Sequence, residues 1–147
     1  MSTLFSYFEG NLEEYLTYIK EVKDNRLVKI RLAPASALKD IGVDDSFYHV
    51  LDNFAVTHIL AKHANPKEVL RGQLIIEEAD FLFIPDIILN FDSYETITPR
   101  DGRDLILFTK NYPDCKRVYV EEIRKGRHEL AGVTYYKQKR KLTGAKS

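Results

Sequence analysis

Apolar side chains fall at helical spacing through much of residues 11–90, and from about Tyr94 onward they gather in β-branched and aromatic runs. Residues 11–25 (NLEEYLTYIKEVKDN) set Leu12, Tyr15, Leu16, Ile19 and Val22 on one helical face, with Asn11 placed to cap it. Residues 26–33 (RLVKIRLA) alternate Leu27, Lys29 and Arg31 against Val28, Ile30 and Leu32, which predicts a strand with one wet face. Residues 34–42 (PASALKDIG) predict a short helix or turn. A short strand should follow, then a helix over about 52–63, stopped by Asn65-Pro66 because proline pushes the residue before it out of the helical region. The same NPKE run can open another short helix, with Asn65 as cap, Pro66 as first helical residue and Glu68 as capping-box acid, ending at Arg71-Gly72. Residues 75–90 are strongly apolar and predict two short helical pieces broken at Pro85.

From there the segments YETIT, RDLILFTKNY, KRVYVEEIRKG and RHELAGVTYYKQKR are β-branched and aromatic, separated by turn residues at 99–102, 112–114 and 125–127. Short connections predict an antiparallel meander over about 105–137. Helices first and strands later predict an α+β domain, with N-terminal helices packed on a C-terminal antiparallel sheet.

At 147 residues, 44% hydrophobic and 30% charged, the chain has the size and composition of one globular domain spanning 1–147. No apolar run reaches the roughly 20 residues of a membrane span, and the acidic N-terminus does not read as a signal. Cys115 is the single cysteine, so no internal disulfide or thiolate zinc cluster can form, and a reducing cytoplasm is the expected location. The zero net charge conceals a division. Residues 115–147 hold 10 of the 22 Lys/Arg and 3 of the 22 Asp/Glu, leaving 12 against 19 before them. Such asymmetry suits either a basic surface for an anionic partner such as RNA, or a basic segment that folds back on the acidic part.

Chemistry centres on AVTHILAKHANP, residues 55–66. At 100° per residue Val56, Ile59, Leu60 and His63 share one helical face, while His58 and Lys62 lie together on another. The two imidazoles therefore do not converge as ligands, and no metal or other cofactor is expected. His63 falls in the last turn, where the helix dipole favours imidazolium. It can serve there as a general acid or simply as a cap. His49 and His128 fall in expected strands. Arg71 precedes a glycine. In the last strand Thr134 and Tyr136 share a face; on the strand before it Tyr119, Glu121 and Ile123 share one face, and Val118, Val120 and Glu122 the other. A histidine, a cation and a hydroxyl pair would suffice for metal-free RNA cleavage. A base takes the ribose 2′-hydroxyl proton, that oxygen attacks phosphorus, and an acid protonates the leaving oxygen.

The ordered run THILAKH, then IEEADFLFIPDIILN, then LILFTK, RVYVEEIRKG and GVTYYKQKR resembles the phage-associated barnase–EndoU–colicin–RelE-like nucleases over about residues 47–140. The resemblance implies a barnase/EndoU/RelE-like α+β fold and a metal-independent endoribonuclease, of a kind carried by phages and mobile elements as toxins or effectors. It implies catalytic roles for His58, His63, Arg71, Thr134 and Tyr136. It implies RNA contacts from Lys62, Lys137, Lys139 and Arg140, and an inhibitor or immunity protein as a further partner. Residues 1–45 stand as an N-terminal extension and 141–147 as a basic tail.

Two functions fit these residues. The first is a ribonuclease. The second is a catalytically inactive, phage-encoded interaction or structural module that keeps the fold, which the neutral net charge and the differing helical phases of the histidines favour. Whether His58 or His63 shares an open cleft with Thr134, Tyr136 and Arg71 discriminates them.

Overall fold

The computed structural model of the chain describes residues 5–22, 26–36, 38–63, 73–98 and 102–139. The helix expected at 65–71, with Arg71 itself, and Arg140 with the basic tail, lie outside the described residues, as does the side chain of His63.

Helix α1 (Leu12–Ile19) starts at the expected cap. The Asn11 carboxamide oxygen accepts from the Glu14 N–H at 2.8 Å and the Glu14 carboxylate accepts from the Asn11 N–H at 3.0 Å. This reciprocal cap satisfies two donors that the first helical turn leaves without partners. Tyr15 is buried on α1, and its hydroxyl donates to the Val28 carbonyl at 2.6 Å, fastening the helix to strand β2 (Leu27–Pro34). A single 3₁₀ turn, Lys39–Ile41, and strand β3 (Tyr48–Asp52) lead into helix α2 (Asn53–His63). Asp52 Oδ1 accepts from the Ala55 N–H at 2.7 Å to cap α2, and the Asn53 carboxamide bonds the Val28 N–H and the Arg26 carbonyl. Val56 and Ile59 turn inward, whereas His58 and Lys62 are exposed.

The run at 75–90 forms the expected two pieces, a 3₁₀ segment Glu78–Phe83 and helix α3 (Ile84–Asn90). Pro85 stands in the first turn of α3, where a backbone N–H has no helical acceptor to lose.

The strands form one sheet in the order β1-β2-β3-β8-β7-β6-β5, with β4 (Gln73–Leu74) also pairing β8. Strands β5 (Ser93–Ile97), β6 (Leu105–Asn111), β7 (Cys115–Arg124) and β8 (Glu129–Lys139) make the expected antiparallel meander. The sheet is nevertheless mixed and not confined to the C-terminal part, which corrects that element of the expected fold class. Strand β1 (Phe5–Tyr7) runs parallel to β2, β2 is antiparallel to β3, and β3 joins β8 in parallel from Tyr48↔Glu129 to Val50↔Ala131. A parallel neighbour needs a long crossover rather than a tight turn. Residues far apart in sequence supply it here, so local turn signals could not announce it.

Two expectations about exposure and placement are also corrected. Lys29, placed by alternation on a wet face, is 1% exposed and bonds Glu129 at 2.8 Å. Glu129 also accepts from the Tyr7 hydroxyl, and Arg31 stacks on the Tyr7 ring at 3.7 Å. That face is closed by paired charge and aromatic cover, and the hydropathy pattern cannot distinguish a paired lysine from a solvated one. His128 is not in a strand: it occupies the turn before β8 with φ of 55°, bonded to Ser46 at 2.6 Å and stacked on Phe47.

Candidate active site

Strand β8 has two partners on one side. β3 accompanies it as far as Ala131, and β4 takes over at Lys137 and Gln138. Among the described residues, nothing pairs with the stretch between them on that side, because β3 ends at Asp52 and the chain turns into α2. The register on the other side slips there too: Glu121 faces Gly132 while Val120 faces Thr134, leaving Val133 as an extra residue in β8. Such bulges bend a strand and re-aim its side chains, and they recur beside active sites.

An open cleft of about 410 Å³ lies over this irregularity. Phe54 and His58 enter it from α2, Gly132 and Thr134 from β8, Arg124 from the end of β7, and Arg103 from the segment before β6. Glu122 organises the two guanidinium groups: Arg124 Nε donates to it at 2.9 Å and Arg103 lies 3.8 Å from its second oxygen. The hydrogen bond orients the Arg124 guanidinium, whereas Arg103, half exposed, is held to Glu122 only as an ion-pair neighbour. A planar guanidinium is a fork suited to phosphate oxygens. The cleft thus contains an imidazole, two guanidinium groups, the Thr134 hydroxyl and the Asp52 carboxylate.

Of the residues singled out from sequence, the cleft brings His58 and Thr134 together. Lys62 stands one helical turn beyond His58 and is exposed. Tyr136 pairs with Val118, as Thr134 does with Val120, so it points to the same face two residues further along β8. Burial, joined by the Glu95 carboxylate, raises the Tyr136 pKa, so its hydroxyl stays a donor at neutral pH. Lys137 lies on the opposite face, where it bonds Asp80 at 3.0 Å beside the Asp80–Arg117 pair at 2.9 Å. Lys139 is exposed at the end of β8. Arg103 and Arg124 were not singled out by sequence. Their turn-flanking positions, beside Gly102 and before Lys125-Gly126, are the signal that could have marked them.

The sheet beneath the cleft is rigidly built. Glu121 and His49 are both buried and joined at 2.8 Å across β8. Gly132 lies between those strands, and an added Cβ there would stand 2.1 Å from the Tyr119 hydroxyl. A second cleft of about 400 Å³, near Asp40, Asp104 and Lys125, contains no histidine and no guanidinium. Among the described residues no three His, Cys, Asp or Glu side chains gather as a metal centre would require, and no helix is long and apolar enough to cross a membrane.

No curated protein and no solved structure matches the chain. Residues 33–144, well over half of the sequence, match the family described as phage-Barnase-EndoU-ColicinE5/D-RelE like nuclease3. The match begins ahead of β3, within strand β2, and runs through all of β8. The chain therefore belongs to the phage-associated barnase–EndoU–colicin–RelE-like nuclease family.

Proposed function

We propose that this nuclease is a metal-independent endoribonuclease that cleaves RNA by internal transesterification. The observation that carries the reading is the shared cleft, which sets His58 beside Thr134 and the Glu122-held pair Arg103 and Arg124. His58 takes the ribose 2′-hydroxyl proton. The 2′-oxygen attacks the adjacent phosphorus, the bond to the 5′-oxygen breaks, and that oxygen departs with a proton, leaving a 2′,3′-cyclic phosphate. Arg103 and Arg124 hold the phosphate oxygens as charge accumulates on them, and Thr134 and Tyr136 donate hydroxyl hydrogen bonds. His63, at the far end of the same helix, is proposed as the second proton-transfer group, and Arg71 as a further phosphate contact, on the strength of the resemblance. Lys62, Lys139 and Arg140 attract the flanking backbone electrostatically; Lys137, bonded to Asp80, is left to hold the strand. In its biological setting the reading is a phage or mobile-element toxin or effector acting on cytoplasmic RNA, restrained by an inhibitor or immunity protein.

The test is incubation of the protein with RNA in excess chelator, with analysis of the fragment ends. The reading expects 2′,3′-cyclic phosphates, and no cut at a position carrying 2′-deoxyribose. Cleavage that leaves a 3′-hydroxyl, or that needs added divalent cation, would overturn it. Absence of any cleavage would favour an inactive interaction module.

A further inference from the structure

We propose that Phe54 is a base-stacking platform and that the cleft takes unpaired RNA, a single-stranded segment with one base turned onto the phenyl ring. The inference deepens the ribonuclease reading and rests on it for the identity of the phosphate-bearing ligand. Phe54 is 48% exposed, lines the cleft, and has no ring partner among the described residues. It stands four residues before His58, hence on the same helical face and one turn away. The apolar side chains of α2 that pack on the core are Val56 and Ile59, both buried, with Ala55 and Leu60 partly buried beside them. Phe54 thus adds little to the core of this helix, while standing beside the residues placed in the chemistry.

Its neighbours decide what it would hold. Arg103 and Arg124 supply the charge for a phosphate, and the phenyl supplies a flat apolar face a short distance away along the same cleft. A nucleotide has that same two-part character, an anionic phosphate joined through a sugar to a flat base. In a duplex the bases are stacked inside, and only phosphates and groove edges reach a surface of this kind. A base can lie on Phe54 only if it has left its stack, so the geometry selects single strands, loops and bulges. Stacking on one phenyl tolerates any base, which predicts weak sequence preference.

The test uses a 2′-O-methyl oligoribonucleotide, which cannot be cut by 2′-oxygen attack, with 2-aminopurine at successive positions. Binding to the wild type should raise the emission at one position, where the base leaves its neighbours for the phenyl ring. Phe54→Leu, checked for unchanged unfolding temperature, should lose that rise and bind about 5–150-fold more weakly, and Phe54→Trp should restore the affinity. The same sequence in a perfect duplex should bind more weakly and be insensitive to Phe54→Leu. Full affinity and an unchanged rise in Phe54→Leu, no position-specific rise in the wild type, or equal Phe54 dependence for duplex would overturn the proposal. Failure of the ribonuclease reading is seen separately: no cleavage of an unmodified strand by the wild type, or cleavage that leaves a 3′-hydroxyl, would refute that reading and leave the fluorescence result standing.

Discussion

The Tyr119 hydroxyl occupies the space that a side chain on Gly132 would fill, 2.1 Å from an ideal Cβ, with Tyr119 Cζ at 2.9 Å and Leu51 Cδ1 at 3.1 Å. All three neighbours sit in a closed core, so none can withdraw cheaply. Gly132→Ala should therefore destabilise the fold by about 1–3 kcal/mol through overpacking, measurable by urea unfolding. Tyr119 Oη is buried with no hydrogen-bond partner among the described residues. Tyr119→Phe should consequently be neutral or mildly stabilising, and should recover part of the Gly132→Ala loss. Additive effects of the two substitutions would show that they do not meet.

Glu129 supplies a pH-dependent part of the stability. Burial alone would raise its pKa, but hydrogen bonds from Lys29 and Tyr7, with the Lys29 charge, outweigh burial and bring it below the ordinary glutamate range. A carboxylate depressed in the folded state stabilises above its unfolded value of about 4.3, and that contribution disappears as pH falls through the folded value. The stability gap between the wild type and Glu129→Gln should thus be widest near neutral pH and shrink on acidification. At neutral pH, Glu129→Ala leaves Lys29 buried without its carboxylate and should cost about 3–5 kcal/mol. A gap that widens in acid would contradict the assignment.

The arginine pair should leave its mark on salt dependence. If Arg103 and Arg124 each neutralise one RNA phosphate, replacing either with Ala should flatten the slope of log affinity against log salt by about 0.7 for a non-cleavable single strand. Arg124→Lys keeps the charge but loses the planar fork that Glu122 holds at 2.9 Å, so it should keep the slope and still lose cleavage rate. An unchanged slope in both alanine variants would move the phosphate contact elsewhere.

Local elements were readable from sequence because their causes are local. Asn11 announces the start of α1, Pro85 marks the break between the two helical pieces, and β-branched and aromatic runs between turn residues announce the meander. The parallel pairing of β3 with β8 was not readable, since it joins Val50 to Ala131 across the intervening helices. Lys29 misled for a related reason: its partner Glu129 is remote, and alternation describes a residue's face without saying what covers it. For the site, His58 and Thr134 were visible as residue types that carry proton-transfer and hydrogen-bonding chemistry. Arg103 and Arg124 were not, because only the tertiary fold places two turn-flanking arginines around Glu122 and opposite α2.

His58 is the proposed proton-transfer group, and single-turnover cleavage of a single-stranded RNA by the wild type and by His58→Ala measures its contribution. His58 is exposed on α2, away from the buried Val56 and Ile59, so its replacement should leave the unfolding temperature nearly unchanged. As a proton-transfer group it should account for about 10²–10⁴-fold in rate. A loss of that size at preserved fold, in chelator, is the predicted result; cleavage by His58→Ala at the wild-type rate would contradict it.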